Sequence, residues 1–199
     1  MNLNMDSFDQ LGLPSFLIDT IEKLGYKEPT EVQAKAIPKA LEGSNIIGLS
    51  QTGTGKTAAF LLPIISNLSN GRSKARMPRS LVLCPTRELA AQVMENFENY
   101  SKNTRLTSAL LIGGVSFKDQ DKKLDRGVDI IIATPGRLLD QFERGKLMLT
   151  GVEFLAIDEA DKMLDMGFIP DITRILESLP SVKQKILFSA TIGKEIENL

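Results

Sequence analysis

Apolar residues along the chain follow two alternating rhythms. Short runs of strand length occur at Asn45–Leu49, Ser80–Cys84, Leu106–Ile112, Val128–Ala133, Val152–Asp158 and Lys185–Ser189. Between and after them, apolar residues recur at helical spacing in Gly55–Leu68, Arg87–Tyr100, Phe117–Leu124, Gly136–Phe142, Lys162–Leu179 and Gly193–Leu199. Strands that alternate with helices predict β-α-β units and an α/β fold, with a mostly parallel central sheet and helices on both faces. Asp129-Ile130-Ile131-Ile132-Ala133 shows no polar alternation, as expected of a strand buried on both faces. Two further helices are predicted ahead of the first strand, Pro14–Leu24 and Thr30–Leu41. Pro14 suits a first helical turn, where a missing N–H costs little. Pro38 is expected to kink or end the second helix, and Pro170 to break Lys162–Leu179.

In parallel sheets ligands sit at the carboxyl ends of the strands, and the polar motifs of this chain fall there. Ser50-Gln51-Thr52-Gly53-Thr54-Gly55-Lys56-Thr57 follows a strand and opens a helix, which is the setting of a phosphate loop, the Walker A arrangement. The glycines let successive N–H groups turn inward, and the helix N-terminus adds positive potential. Lys56 has the reach for β- and γ-phosphates, and the Thr57 hydroxyl suits Mg²⁺. The general pattern wants glycine where this chain has Ser50. A second apolar run, Val152–Ile157, ends in Asp158 and Glu159. That is a Walker B arrangement, in which Asp158 holds Mg²⁺ and Glu159 orients or deprotonates the attacking water. Lys56, Asp158 and Glu159 are therefore the candidate catalytic residues.

Composition narrows the chemistry. The 199 residues contain no histidine, which removes His-based acid–base catalysis and His-ligated zinc. The single cysteine, Cys84, excludes an internal disulfide and suits a reducing, cytoplasmic setting. A net charge of −1 gives no global field for nucleic acid, so any such contact has to be local. No stretch has the length and apolarity of a membrane span, and Met1–Gln10 has no apolar signal-peptide core. Gly71–Arg79 carries four basic residues and no acid; it reads as a solvated connection, with an RNA contact as the alternative. The Met163, Met166 and Phe168 cluster reads as core.

Asp158-Glu159-Ala160-Asp161 spells the motif that names the DEAD-box RNA helicases, and the chain resembles their first, N-terminal RecA-like P-loop NTPase domain across residues 1–199. Gly25-Tyr26-Lys27-Glu28-Pro29-Thr30-Glu31-Val32-Gln33, with Phe8 upstream, is similar to the family's Q motif. The resemblance implies that Gln33 reads the adenine edge, that Phe8 stacks on the base, and that Tyr26 and residues 50–57 complete an ATP site. Ser50 stands where the family usually has alanine. Pro85-Thr86-Arg87, Gly113-Gly114 and Thr134-Pro135-Gly136-Arg137 resemble motif Ia, the GG element and motif Ib, which in the family hold the RNA backbone. Hydroxyls, loop N–H groups and Arg137 suit phosphates, and glycine allows close approach. Taken singly, each of these motifs also reads as a helix cap or a turn. Ser189-Ala190-Thr191 resembles motif III, which would link the ATP site to RNA through Asp161; Thr191 also reads as a helix cap.

The resemblance further implies ATP and Mg²⁺ as ligands, single-stranded or duplex RNA as partner, a monomer, and a second RecA-like domain after motif III. That second domain, with its arginine fingers, is absent from this chain, so weak nucleotide binding and poor hydrolysis are expected of it. Two alternatives stand beside this reading: another P-loop enzyme, such as a kinase or a different ATPase, and an ATP-dependent RNA clamp.

Overall fold

The computed structural model describes residues 6–74 and 76–199. The first five residues of the polar Met1–Gln10 stretch, and Ala75 of the basic loop, lie outside it. Six strands, β1 Ile46–Leu49, β2 Ser80–Leu83, β3 Ser108–Leu111, β4 Ile130–Ala133, β5 Phe154–Ile157 and β6 Gln184–Ser189, form one sheet in the order β1-β6-β5-β2-β4-β3. Every strand pair is parallel. The helices are α1 Ser15–Lys23, α2 Glu31–Leu41, α3 Lys56–Leu68, α4 Arg87–Tyr100, α5 Phe117–Arg126, α6 Pro135–Glu143, α7 Ala160–Asp165, α8 Ile169–Glu177 and α9 Lys194–Glu197, with a 3-10 turn at Phe8–Leu11.

A parallel strand covered on both faces has to be apolar on both, and β2 and β4 are buried at all four positions. Successive side chains then feed two separate cores. Val82, Ile130 and Ile132 join the apolar faces of α1, α2, α3 and α4. Leu81, Leu83, Ile131 and Ala133 join α5, α6, α7, α8 and α9. Edge strand β1 departs from this pattern, with Ile47 and Leu49 exposed.

Pro38 lies inside α2, which runs on for three residues and ends at Leu41. The stretch Lys162–Leu179 is broken at Met166–Phe168, close to Pro170, which occupies the first turn of α8, where its missing N–H is no loss.

One buried side chain ties α2 to the sheet. Gln184 at the start of β6 donates through Nε2 to the carbonyls of Ala40 (2.8 Å) and Ser44 (2.7 Å) just after the helix ends. Gln184→Leu strands the Ser44 carbonyl, while that of Ala40 keeps the Gly43 N–H, and is expected to cost about 1–2 kcal/mol of stability; the urea midpoint measures it, and an unchanged midpoint would mean the Ser44 carbonyl finds water instead.

Candidate functional site

All the polar motifs emerge on the carboxyl edge of the sheet, and backbone hydrogen bonds bolt them to one another. The ladder continues one step past the strands: Ser50 N donates to Ser189 O (2.9 Å), Asp158 N to Leu83 O (3.0 Å), Cys84 N to Ala133 O (2.9 Å) and Thr134 N to Leu111 O (3.1 Å). Strand order splits this edge in two. The loops after β1, β6 and β5 form one half, and those after β2, β4 and β3 the other.

In the first half the phosphate loop turns into α3 through Gly55, whose φ of +84° is left-handed. A Cβ at Gly55 would also lie 2.5 Å from Gln33 Nε2, so no other residue fits without displacing that amide. Gln33 is only 2 % exposed. Its Oε1 accepts from Thr30 N (2.9 Å) and its Nε2 donates to the Gly55 carbonyl (3.1 Å). Thr30 Oγ1 accepts from Gln33 N in turn, completing a capping box at the start of α2. The amide expected to face adenine is thus wired to the phosphate loop. Ser50 is nearly buried, and its hydroxyl hydrogen-bonds with that of Thr54, an internal tie that alanine would lack. Gln51, Thr52 and Gly53 are exposed along the loop.

The expected base-stacking role of Phe8 does not survive. Phe8 is 3 % exposed, and its ring meets Tyr26 edge-on at 6.0 Å. Tyr26 packs the same way on Tyr100, with the two hydroxyls 2.6 Å apart. Burial of the Tyr100 phenol, together with that bond, pushes its pKa far above the usual range. The three rings clamp the N-terminal 3-10 turn onto the core, which leaves Phe8 no face for a nucleobase; Tyr26 remains half-buried.

Below the loop sits a buried charge cluster. Lys56 Nζ lies 3.1 Å from Asp158 Oδ1 and 3.3 Å from Glu159 Oε1. Asp158 is fully buried, and among the described residues the Lys56 ammonium is the one side-chain donor beside its carboxylate. Burial pushes its carboxyl pKa above the usual value, against the pull of Lys56. Glu159 responds oppositely. Burial raises it, but the Lys162 ammonium at 2.9 Å and then Lys56 outweigh that and hold it below the usual range. Glu159 also adopts a left-handed backbone, φ +53°, at the start of α7. Such strain costs on the order of 1–3 kcal/mol, and the contacts to Lys56, Lys162 and Thr52 Oγ1 hold the side chain there. A buried carboxylate with Lys56 as its one side-chain partner, and Thr57 half-buried in the first turn of α3, fit a hydrated divalent cation that brings its own donors. Cys84 is buried nearby, and burial pushes its thiol far up, which leaves it inert.

Ser189 links the halves of the charge cluster. Its Oγ accepts from the Asp161 backbone N (3.2 Å) and donates to the Thr191 carbonyl (2.5 Å), while its carbonyl holds Ser50. The coupling contact therefore uses the Asp161 backbone. Thr191 caps no helix; Gly193 occupies that position for α9.

The second half of the edge is a groove of about 450 Å³ whose walls include Pro85, Thr86, Arg87, Gly113, Thr134, Gly136 and Arg137. The three motifs placed together from the sequence converge here. Thr86 caps α4 by accepting from Leu89 N, whereas the Thr134 hydroxyl makes no cap bond. Gly114 is left-handed, φ +79°, beside the Arg87 guanidinium, and Arg87 reaches the Gly113 carbonyl. Pro135 is buried as the first residue of α6. Asp140, Met166 and Phe168 also line the groove; Phe168 is half-buried and packs against the core as expected, whereas the reading of Met166 as core is corrected. Met166 is 51 % exposed because the turn between α7 and α8 points it outward, while Met163 one turn earlier is buried. Only the helix break marked this in the sequence.

A family model for DEAD/DEAH box helicases matches residues 30–199. The chain belongs to the DEAD/DEAH box helicase family. It is 45 % identical over 196 residues to a probable ATP-dependent RNA helicase, ddx27, from Dictyostelium discoideum, covering 98 % of this chain and 25 % of the relative. Against the ATP-dependent RNA helicase DeaD of Buchnera aphidicola it is 45 % identical over 194 residues, 97 % of this chain and 32 % of that protein. A solved DEAD box protein from Methanococcus jannaschii superposes with a TM-score of 0.90 at 39 % identity, over 97 % of this chain and 52 % of the other. A hypothetical ATP-dependent RNA helicase from Sulfolobus tokodaii gives 0.86 at 40 %, over 94 % and 53 %. The chain thus spans a quarter to a third of these curated relatives. Phe8 and Tyr26 precede the matched residues, whereas Gln33 and the later motifs lie within them.

In this DEAD/DEAH box helicase chain Arg137 is more engaged than its expected phosphate role requires. It donates to the Val115 carbonyl (3.0 Å), and its guanidinium lies 4.1 Å from the Phe117 ring centroid. Arg137→Ala is expected to lower stability by about 1–2 kcal/mol in urea unfolding; a loss near zero would return Arg137 to a purely ligand-facing role. Asp158→Asn has the opposite sign. A carboxyl whose pKa is raised by folding withholds stability above that pKa and restores it below the unfolded value. At neutral pH, removing the charge is expected to raise the melting temperature in metal-free buffer and to abolish any gain in ADP binding from Mg²⁺. A lower melting temperature would mean that the Lys56 pair outweighs desolvation.

Proposed function

We propose that this chain is the ATP-binding half and part of the RNA groove of an ATP-dependent RNA helicase that locally unwinds or remodels RNA. One observation carries the reading: a phosphate loop with its acid pair and a separate phosphate-suited groove share one sheet edge, joined where Asp158 N, at the end of β5, donates to Leu83 O, at the end of β2. The names of the relatives, ATP-dependent RNA helicases, support it.

The chemistry follows from the resting contacts. A triphosphate draws Lys56 away from Asp158 and Glu159 and toward its β- and γ-oxygens. Glu159, already held ionised by Lys162 and released by Lys56, is then free to orient a water and accept its proton. Thr57 and Asp158 would hold Mg²⁺, which neutralises developing phosphate charge. The Gln33 amide exchanges its bond to the Gly55 carbonyl for the adenine edge, so base recognition releases the phosphate loop. In the groove, the Thr86 and Thr134 hydroxyls, the Gly113, Gly114 and Gly136 backbone, Arg87 and Arg137 meet an RNA backbone without reading bases. A second RecA-like domain of the same protein supplies arginine fingers, worth ~10³–10⁵ in phosphoryl transfer, and the facing wall. Closure on both ligands then completes the catalytic site. A monomer in a reducing cytoplasm suits the buried single thiol.

Titrating the chain with ADP and GDP, beside Gln33→Ala, tests this. ADP is expected to bind at least about tenfold more tightly, by the hydrogen-bond mismatch that guanine presents, and Gln33→Ala to erase the difference. Equal binding of both nucleotides by the unaltered chain would remove the adenine reader.

A further inference from the structure

A cavity of about 590 Å³ opens at the other end of the sheet from all of this chemistry. Asp129 in its wall directly precedes β4, and Arg105 and Leu106 precede β3, so the cavity lies at the amino ends of parallel strands. Leu68, the last residue of α3, closes another side. The 13 residues of α3 therefore separate this cavity from the phosphate loop, a span of about 20 Å at the helical rise. Its size is that of ordinary ligand pockets.

The walls combine two kinds of surface. The half-buried Phe16 and Leu106 give an apolar floor, and Arg72 and Arg105 stand exposed at the rim. The surrounding charges are spent elsewhere. Asp129, the carboxylate in the wall, accepts from Ser73 N, Thr107 N and Thr107 Oγ1 and so pins the loop in place. In the same basic run Arg76 pairs with Asp125 at 2.7 Å, and Arg79 donates to the Leu68 and Asn70 carbonyls. Arg72 and Arg105 have no acidic partner within 4.0 Å among the described residues. Asn103 donates to Thr20 Oγ1 and keeps its side-chain carbonyl free to accept.

Guanidinium groups favour carboxylates through paired hydrogen bonds. An apolar floor between two of them, beside a free amide acceptor, matches a peptide more closely than a nucleic-acid backbone, which needs cations but no apolar recess. We propose that this cavity docks a segment of a partner protein in which an apolar side chain is flanked by aspartate or glutamate. Such a segment binds at the amino ends of the strands and leaves the nucleotide loop and the RNA groove open, so it tethers the protein without blocking its ligands. The proposal does not depend on the nucleotide reading.

The test is amide chemical-shift mapping of the ¹⁵N-labelled chain with short peptides carrying a central Phe, Leu or Met flanked by Asp and Glu. Lysine-flanked peptides and oligouridylate serve as comparisons. Shifts are expected at Phe16, Gly71–Ser73 and Asn103–Leu106 with the acidic peptides. The Arg72→Glu, Arg105→Glu double variant is expected to weaken peptide binding by about tenfold or more. Both residues are solvent-exposed, and an unchanged urea midpoint reports an intact fold. No acidic peptide shifting these amides, equal binding of lysine-flanked peptides, or a double variant that binds as before would overturn the proposal. Stronger perturbation of the same amides by oligouridylate would overturn it too and make this a nucleic-acid surface.

Discussion

Two-sided burial of a parallel sheet leaves polar side chains nowhere to go but the strand ends, and that constraint organises the molecule. β2 and β4 have no exposed position at all, so their polarity is deferred to Pro85–Arg87 and Thr134–Arg137. The same holds for β5, which turns from Ile157 to two carboxylates within one residue. Strand order then decides which loops meet. Because β6 returns between β1 and β5, the end of β6 touches both the phosphate loop and the acid pair. Because β4 returns between β2 and β3, three short loops far apart in sequence form one groove.

Within that frame the charge cluster is built to be dissatisfied. Asp158 is buried, and the side-chain donor beside its carboxylate is a lysine that also serves Glu159. Burying a carboxylate so incompletely is costly, and the cost is tolerable because Lys56 is shared between two acids. On the proposed function, a phosphate-bearing ligand accompanied by a cation would resolve both deficits together. Left-handed Glu159 belongs to the same economy, with strain held in place by the residues that the ligand would recruit.

The sequence disclosed the parts of the molecule whose physics is local. Strand and helix positions followed from periodicity, and Ser50–Thr57 and Asp158–Asp161 followed from residue type and spacing. The failures were tertiary. Phe8 looks like a free aromatic in one dimension, but Tyr26 and Tyr100 close over it in three. Met166 shares its composition with Met163 and differs only in falling where α7 has ended, a one-turn difference that propensity does not resolve. Arg137 was placed in the correct groove, but Phe117 beneath it is twenty residues away in sequence and gave no sign of the contact.

Gln33 shows why fold and site cannot be separated in this chain. Its amide finishes the capping box of α2, fills the space that a Cβ on Gly55 would need, and holds the Gly55 carbonyl. A side chain that only read a base would stand exposed and free when the base is absent; this one is buried and fully engaged. On the proposed ATP site this engagement would be the resting counterpart of the adenine edge: a base that took over the Nε2 bond would free the Gly55 carbonyl, so that discrimination and loop movement would be one event, set by a glutamine whose two polar ends already face Thr30 and Gly55.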